Sequence, residues 1–284
     1  MSEPICLITG ATDGVGKATA LALARKGFKV VIAARNAEKA ETARAEIEAA
    51  NGARDVEILI GDLASLAQVR QLAERFKAEH PRLDVLINNA GVMLARRQLT
   101  EDGLEATWQI NYLSAFLLTH LLMDALKVSE QGRIINLSSS VYSIGKITPD
   151  QAGGAGAYSA IGAYAASKLA MLLFSLELAE RLKRIRVTAN AVHPGVVRTQ
   201  MLATAEGLFK LMALMATPFA VSPEKGARTS VQLASSPDLS TASGLYWAGG
   251  GKPQAVKSPF NTPEAREGLW RRSLDQLQSR GFCA

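Results

Sequence analysis

The chain of 284 residues is 48% hydrophobic and 20% charged, an ordinary globular composition with enough apolar residues for a sizeable core. Its 32 basic and 26 acidic residues give a net charge of +6, but the basic residues are scattered, so nucleic-acid binding is not expected. Two cysteines predict neither a disulfide scaffold nor a zinc site. The sequence shows no signal-peptide pattern and no uninterrupted apolar stretch of ~18–20 residues, so we expect a cytoplasmic protein with no membrane span.

Short apolar runs typical of strands alternate with helical runs along the chain. Strands are predicted at residues 5–9, 29–34, 56–60, 84–88, 133–138, 186–192 and 245–248. Helices are predicted at about residues 16–26, 38–50, 65–79, 104–127, 164–183 and 223–235, and a polar tail over about residues 250–284 holds one more. This alternation predicts an α/β fold, a doubly wound parallel sheet of the Rossmann type with helices on both faces, in a single domain over residues 1–284.

The turn between the first strand and the first helix is rich in glycine, with the sequence Thr-Gly-Ala-Thr-Asp-Gly-Val-Gly over residues 9–16. Glycine lets the backbone turn tightly and approach a pyrophosphate, which the N–H groups and the dipole of a helix N-terminus attract. A plain tight turn is the alternative, but the position between a strand and a helix favours a dinucleotide site. The candidate cofactor-binding residues here are Gly10, Thr12, Asp13, Gly14, Val15 and Gly16.

The end of the second strand indicates which dinucleotide is bound. NAD sites carry an acidic residue there for the ribose 2′-hydroxyl, whereas NADP sites carry a cation. Here the strand ends without Asp or Glu and is followed by Arg35, whose guanidinium matches the geometry of a phosphate. We therefore predict NADP(H) as the cofactor. The alternative is that Arg35 is a solvated loop charge.

Two further strand ends supply candidate cofactor contacts. Asp62 and Leu63 follow the third strand and are predicted to flank the adenine, although Asp62 is alternatively a cap of the next helix. Asn89, Ala90 and Gly91 follow the fourth strand, where small residues allow close packing of the backbone beside the cofactor.

A phenol and an ammonium lie four residues apart at Tyr164 and Lys168, just ahead of a strongly helical run. Residues i and i+4 share one helix face, so the cation is expected to lower the phenol pKa from ~10 and make Tyr164 a proton-transfer group. Tyr142 and Lys146 have the same spacing, but Gly145 argues against a helix there. We therefore prefer the pair Tyr164 and Lys168.

The ordered set of motifs resembles the short-chain dehydrogenase/reductase family over almost the whole chain. The set comprises the turn of residues 9–16, Asn-Asn-Ala-Gly at residues 88–91, Asn111, Ser139, the Tyr164/Lys168 pair, and Pro194-Gly195 followed by Thr199. Three Ser residues at 138–140, the long spacing from Ser139 to Tyr164, and His-Pro-Gly-Val-Val-Arg-Thr at residues 193–199 resemble the retinol dehydrogenase-like branch. Animal members of that branch often carry an N-terminal membrane anchor, which this sequence does not show.

The resemblance implies a role for each catalytic residue. Tyr164 exchanges a proton with the substrate oxygen, and Lys168 lowers the phenol pKa and hydrogen-bonds the nicotinamide ribose. Ser139 holds the carbonyl or alkoxide oxygen. Asn111 supports a water in a proton relay, with a satisfied core residue as the alternative.

The resemblance also implies contacts at the nicotinamide end. Thr199 binds the carboxamide, with a plain core or cap residue as the alternative, and His193 is interpreted as a packing residue. In a strand, Ser139 would face one side of the sheet and Ser138 and Ser140 the other, which does not indicate the catalytic serine. The choice of Ser139 therefore follows from the family pattern. The remaining cofactor-binding candidates are Pro194, Gly195 and Val197.

The resemblance implies that an apolar, Met-rich segment at residues 201–219 lies over the cofactor and forms a substrate lid at about residues 200–220, with a core helix as the alternative. The predicted function is an NADP(H)-dependent oxidoreductase acting on a lipophilic alcohol or carbonyl substrate. The alternative is a non-catalytic NADP(H)-binding module for redox sensing or scaffolding. Members of the family commonly pair through the helix at about 104–127 and the Tyr164 helix, so a homodimer or homotetramer is expected, with a monomer left open.

Overall fold

The computed structural model describes residues 3–51, 56–147, 158–197, 220–248 and 250–282, which fold around one eight-stranded sheet. The strands are β1 (Ile5–Thr9), β2 (Lys29–Ala34), β3 (Val56–Ile60), β4 (Val85–Asn88), β5 (Gly132–Leu137), β6 (Val187–Val192), β7 (Tyr246–Ala248) and β8 (Lys252–Gln254). Their order is β3-β2-β1-β4-β5-β6-β7-β8, and every neighbouring pair is parallel except β7 and β8. The predicted doubly wound α/β fold is confirmed, and its strand order reverses between β1 and β4, where such folds bind ligands.

The edge strand β8 is the one described strand that the sequence analysis missed. Its residues, Lys252–Gln254, are exposed and carry no apolar alternation, so no periodic pattern marks them. Strand β8 pairs antiparallel with β7, with Trp247 opposite Pro253. Proline is tolerated at an edge because its missing N–H need not pair with a further strand.

Helices cover both faces of the sheet. They are α1 (Gly14–Arg25), α2 (Ala37–Asn51), α3 (Leu66–Glu79), α4 (Ala106–Trp108), α5 (Ser114–Leu121), α6 (Met123–Val128), α7 (Ala160–Arg181), α8 (Pro223–Ser235) and α9 (Pro263–Gln278). Buried side chains of α1, α2 and α8 form one apolar layer, and those of α3, α5, α7 and α9 form the other. Helix α1 begins two residues earlier than predicted, because the Asp13 carboxylate accepts a hydrogen bond from the Gly14 N–H at 2.7 Å.

The single long helix expected at about residues 104–127 is interrupted. Glu105 caps α4, a π-helical turn over Gln109–Leu113 joins it to α5, and α5 ends at Leu121 before α6 begins. The π turn contains the candidate residue Asn111. Such turns occur often at functional sites because they locally widen the helix.

Helix α9 packs onto α5 and α7. The Trp270 ring lies 5.1 Å from the Phe116 ring and 5.9 Å from the Phe174 ring, centroid to centroid. On its other side the Arg181 guanidinium lies 4.1 Å from the Trp270 centroid, and Arg181 also pairs with Glu267 of α9. Helix α9 therefore packs on the two helices through which copies of the chain were expected to pair.

Helix α7 is the one described helix that is long and apolar enough to cross a membrane. Of its most apolar window, however, 72% is buried inside the protein, which is the pattern of a core helix. It packs against β5, β6 and α9, and it carries both Tyr164 and Lys168.

Candidate active site

A cavity of about 660 Å³ opens at the carboxyl ends of the strands. Nearly all the predicted site residues line it: Gly10, Thr12, Asp13, Gly14, Val15, Gly16, Arg35, Asp62, Leu63, Asn89, Ala90, Gly91, Ser139, Tyr164, Lys168, Pro194, Gly195 and Val197. Thr199 and the predicted lid at about 200–220 lie outside the described residues. Asn111 lies behind the wall of the cavity.

The turn after β1 leaves no room for a side chain at two of its glycines. Gly10 has φ of 65°, and a Cβ added there would lie 2.9 Å from the Ala90 Cα. A Cβ added at Gly16 would lie 2.3 Å from the Gly10 carbonyl oxygen and 2.4 Å from the Asn89 Nδ2. The turn leads directly into the N-terminus of α1, so it fits a pyrophosphate held against backbone N–H groups.

Asn89 ties the turn after β1 to the end of β4. Its Nδ2 donates to the carbonyl oxygens of Thr9 and Gly10, both at 2.9 Å. The Thr9 hydroxyl accepts from the N–H groups of Asn89 and Ala90, both at 3.1 Å. These bonds give Asn89 the role of a scaffold that shapes the cavity floor.

Two cations line the cavity beside the end of β2. Arg35 and Lys39 are exposed, and neither side chain has a hydrogen bond or ion pair within the described ranges. The Asn36 side chain accepts from the Lys39 N–H at 2.8 Å, which fixes the first turn of α2. Lys39 was missed from the sequence, although its place four residues after Arg35, at the start of a helix, is the signal that marks it. Together the two side chains fit a phosphate group.

Asp62 shapes the loop after β3. Its carboxylate accepts from the Ala64 N–H at 2.9 Å, whereas Ser65 caps α3 by accepting from the Gln68 N–H. The alternative that Asp62 caps the helix is therefore wrong. Asp62 and Leu63 line the cavity where the adenine of a dinucleotide was predicted.

Tyr164 and Lys168 share one face of α7 as predicted. The Lys168 Nζ lies 5.6 Å from the centroid of the Tyr164 ring and donates to the Leu137 carbonyl oxygen at 2.9 Å. The Tyr164 hydroxyl is hydrogen-bonded to the Ser139 side chain. One phenol, one hydroxyl and one ammonium thus converge on one end of the cavity.

Burial, rather than the neighbouring cation, dominates the ionisation of Tyr164. Desolvation raises the pKa of the phenol to about 12, and the Ser139 hydrogen bond opposes this only in part. Burial also lowers the pKa of Lys168 to about 8. The prediction that Lys168 lowers the pKa of Tyr164 is wrong for this arrangement, because the ammonium is directed at the Leu137 carbonyl instead of the phenol oxygen.

The structure distinguishes the three serines. Ser138 is buried, and its hydroxyl donates to the Lys168 carbonyl oxygen at 2.8 Å. Ser139 is the serine that bonds Tyr164. Contrary to expectation, residues Ser140–Ile144 form a short 3₁₀ helix, but its Tyr142 is buried away from the cavity and accepts from the Lys257 N–H at 3.1 Å.

The Asn111 side chain connects the loop after β4 to α7 behind the cavity wall. Its Oδ1 accepts from the Val92 N–H at 2.7 Å, and its Nδ2 donates to the Val92 carbonyl at 2.8 Å and to the Ser167 hydroxyl at 3.0 Å. The side chain is fully buried and uses three of its four hydrogen-bonding positions, which favours the alternative of a satisfied core residue. It holds the loop after β4 against α7.

Part of the cavity wall is apolar, which the sequence analysis did not recognise. Met93, Val141, Ile161 and Val196 all line the cavity there. Ile161 precedes Tyr164 by three residues on the same helix face, which is the one signal that local spacing offered. The others follow three different strands, β4, β5 and β6, and only the fold brings them together.

A family model described as short chain dehydrogenase matches residues 4–207, and the chain belongs to this family of nicotinamide-dependent oxidoreductases. Among curated relatives, retinol dehydrogenase 12 of Mus musculus is 42% identical over 273 residues, which cover 96% of this chain and 86% of the relative. The predicted resemblance to the retinol dehydrogenase-like branch is thereby confirmed, and with it an oxidoreductase acting on CH–OH groups.

Solved structures share this fold. An uncharacterised protein from Mycobacterium paratuberculosis is 32% identical with a TM-score of 0.78, covering 97% of this chain and 93% of that one. A short chain dehydrogenase from Shigella flexneri, complexed with NADP, is 27% identical with a TM-score of 0.68, covering 87% and 96%.

Proposed function

We propose that this chain reduces lipophilic aldehydes or ketones to alcohols with NADPH. The observation that carries the proposal is a single cavity with Ser139, Tyr164 and Lys168 at one end and Arg35 and Lys39 at the other. A dinucleotide spanning that cavity would bring its nicotinamide to the first set and its adenosine ribose to the second.

The cofactor contacts follow from the shape and charge of the cavity. The turn at Gly10 and Gly16 would hold the pyrophosphate, and Arg35 with Lys39 would pair with the 2′-phosphate of the adenosine ribose. The bound nicotinamide supplies the hydride. The NADP complex of the Shigella flexneri relative supports this cofactor.

The side chains at the other end supply the proton. With a pKa of about 12, Tyr164 is protonated at neutral pH, so it is ready to act as the proton donor that carbonyl reduction requires. The carbonyl carbon accepts the hydride while the carbonyl oxygen takes the phenol proton, which yields the alcohol. Ser139 holds that oxygen beside the phenol, and its hydroxyl favours the phenolate left behind until it is reprotonated from solvent.

The apolar wall supports a lipophilic substrate. Met93, Val141, Ile161 and Val196 offer no charge or hydrogen-bond donor from their side chains to a polar substrate. The retinol dehydrogenases to which the chain is similar are named for a lipophilic alcohol.

We expect NADPH oxidation by the purified protein with retinal and long-chain aldehydes, and at least tenfold lower kcat/KM with small polar carbonyls, because only apolar substrates bury surface against this wall. The measurement is the absorbance of the reduced cofactor with each carbonyl in turn. Turnover confined to small polar carbonyls would contradict the substrate class. Tight NADPH binding with no turnover on any carbonyl would favour the non-catalytic binding module instead.

Replacing Arg35 by Ala is expected to raise the KM for NADPH roughly tenfold to a hundredfold, because a charged hydrogen bond to phosphate contributes about 1.5–3 kcal/mol. The KM for NADH should change less than about twofold, since NADH has no 2′-phosphate. Adding Lys39→Ala should weaken NADPH further.

The matched control is Lys26→Ala, which removes an exposed cation at the end of α1, outside the cavity. It should leave both cofactors unaffected. Equal losses for NADPH and NADH in Arg35→Ala would contradict the assignment of NADP(H).

A further inference from the structure

His193 differs from the other two histidines because its buried ring nitrogen has no hydrogen-bond partner in the part of the chain that the structure describes. The sequence contains three histidines. The ring of His80 pairs with Glu57 at 2.6 Å, and the ring of His120 bonds the Phe116 carbonyl at 2.8 Å. The Nδ1 of His193 is buried and has no hydrogen-bond partner among the described residues, yet the residue lines the active-site cavity.

The backbone directs the His193 ring toward the catalytic face of the sheet. Val192 is paired in register with Leu137, and both side chains pack in the layer formed with α1 and α8. The His193 N–H donates to the Trp247 carbonyl at 2.8 Å, so the chain is still extended there. Alternation then turns His193 to the opposite face, the one from which Ser138 reaches the Lys168 carbonyl of α7.

The surroundings of the ring identify its tautomer. Burial lowers the pKa of His193 to about 4, so the imidazole is neutral at neutral pH and carries one N–H. A buried N–H without an acceptor is rarer in proteins than a buried acceptor without a donor. The proton therefore belongs on Nε2, and the lone pair of Nδ1 is the group that stays unpaired.

We propose that His193 is a ligand-binding residue of the active site, whose Nε2–H donates to an oxygen of the bound reactants beside Tyr164. That oxygen is either the carboxamide oxygen of the nicotinamide or the carbonyl oxygen of the substrate. The proposal rests on the function proposed above. It replaces the interpretation of His193 as a packing residue.

Two amide variants separate the two ring nitrogens. The side-chain amide of Gln reaches about as far as Nε2, whereas that of Asn reaches only the position of Nδ1. His193→Phe keeps a ring of similar shape but removes both nitrogens. The matched control is His120→Phe, which removes a histidine from the aromatic cluster of Phe116, Phe174 and Trp270, away from the cavity.

The measurements are the Kd of NADPH by fluorescence, KM and kcat with retinal, and Tm. His193→Phe should raise either the Kd of NADPH or the KM of retinal roughly tenfold, with little change in Tm. In His193→Gln the same constant should lie within about threefold of the wild-type value. In His193→Asn it should stay raised. A rise in Kd alone assigns the bond to the cofactor, and a rise in KM alone assigns it to the substrate.

Wild-type constants in His193→Phe would overturn the proposal, as would equal behaviour of His193→Gln and His193→Asn. A loss of NADPH or retinal affinity that parallels a fall in Tm, the behaviour expected of His120→Phe, would show that His193 is a packing residue. If His193→Phe does not fold, the comparison of the two amide variants decides. If the wild type binds NADPH but reduces no carbonyl, the proposed function is contradicted while the His193 proposal can still be tested by NADPH binding. In that case an equal Kd of NADPH in the wild type and all His193 variants would overturn the His193 proposal as well.

Discussion

Replacing Tyr164 by Phe is expected to lower kcat for carbonyl reduction by about a thousandfold or more, since general acid catalysis contributes up to ~10⁴-fold. Phenylalanine keeps the ring that lies beside Lys168 but removes the proton donor and the partner of Ser139. The Kd of NADPH should stay within about tenfold, because one lost hydrogen bond to the cofactor is the most that the change removes.

Tyr142→Phe is the control for this experiment. Tyr142 also has a lysine four residues later, Lys146, but its hydroxyl accepts from the Lys257 N–H outside the cavity. This variant should lose about 1 kcal/mol of stability and keep its kcat. Single-turnover kinetics with both variants test the assignment, and an active Tyr164→Phe beside an inactive Tyr142→Phe would reverse it.

Replacing Gly16 by Ala is expected to weaken NADPH binding by about a hundredfold or more and to lower Tm. The new methyl group would lie 2.3 Å from the Gly10 carbonyl and 2.4 Å from the Asn89 amide nitrogen, so the turn must open. Overpacking of this kind typically costs about 1–3 kcal/mol. The opened turn also moves the backbone N–H groups that would hold the pyrophosphate.

Gly268→Ala provides the matched comparison, because its Cβ would meet only the end of the Arg272 side chain at 3.6 Å. It lies within α9, where Ala is favoured over Gly by up to about 1 kcal/mol, so Tm should rise slightly and NADPH affinity should not change. Isothermal titration and thermal melts compare the two variants. Unchanged NADPH affinity in Gly16→Ala would show that the turn does not bind the pyrophosphate.

The parts of the fold that local pattern determines were predictable. Strands such as β1 and β2 are buried on both faces, so their apolar runs mark them within a residue or so. Strand β8 is exposed and the helix around Asn111 is broken by a π turn, and neither feature has a periodic signature. In both places tertiary contacts, rather than local propensity, determine the backbone.

The site divides in the same way. The glycine turn and the Tyr164/Lys168 pair are recognised from spacing, because the chemistry requires those residues at those intervals. Burial is not encoded in spacing, so the raised pKa of Tyr164 was predicted with the wrong sign. Likewise the apolar wall becomes visible only when distant segments are brought together, and so does the buried Nδ1 of His193, which has no hydrogen-bond partner among the described residues.

Helix α9 has a consequence for how the chain reaches its native state. Arg181 and its partner Glu267 are separated by 86 residues, and Tyr112 and its partner Ser273 by 161. On the ribosome, α5 and α7 therefore emerge well before the helix that covers their aromatic side chains. Contacts between residues so distant in sequence form slowly, and an apolar face left open in the meantime is prone to self-association. We therefore expect a nascent chain to need protection by chaperones until α9 covers this face.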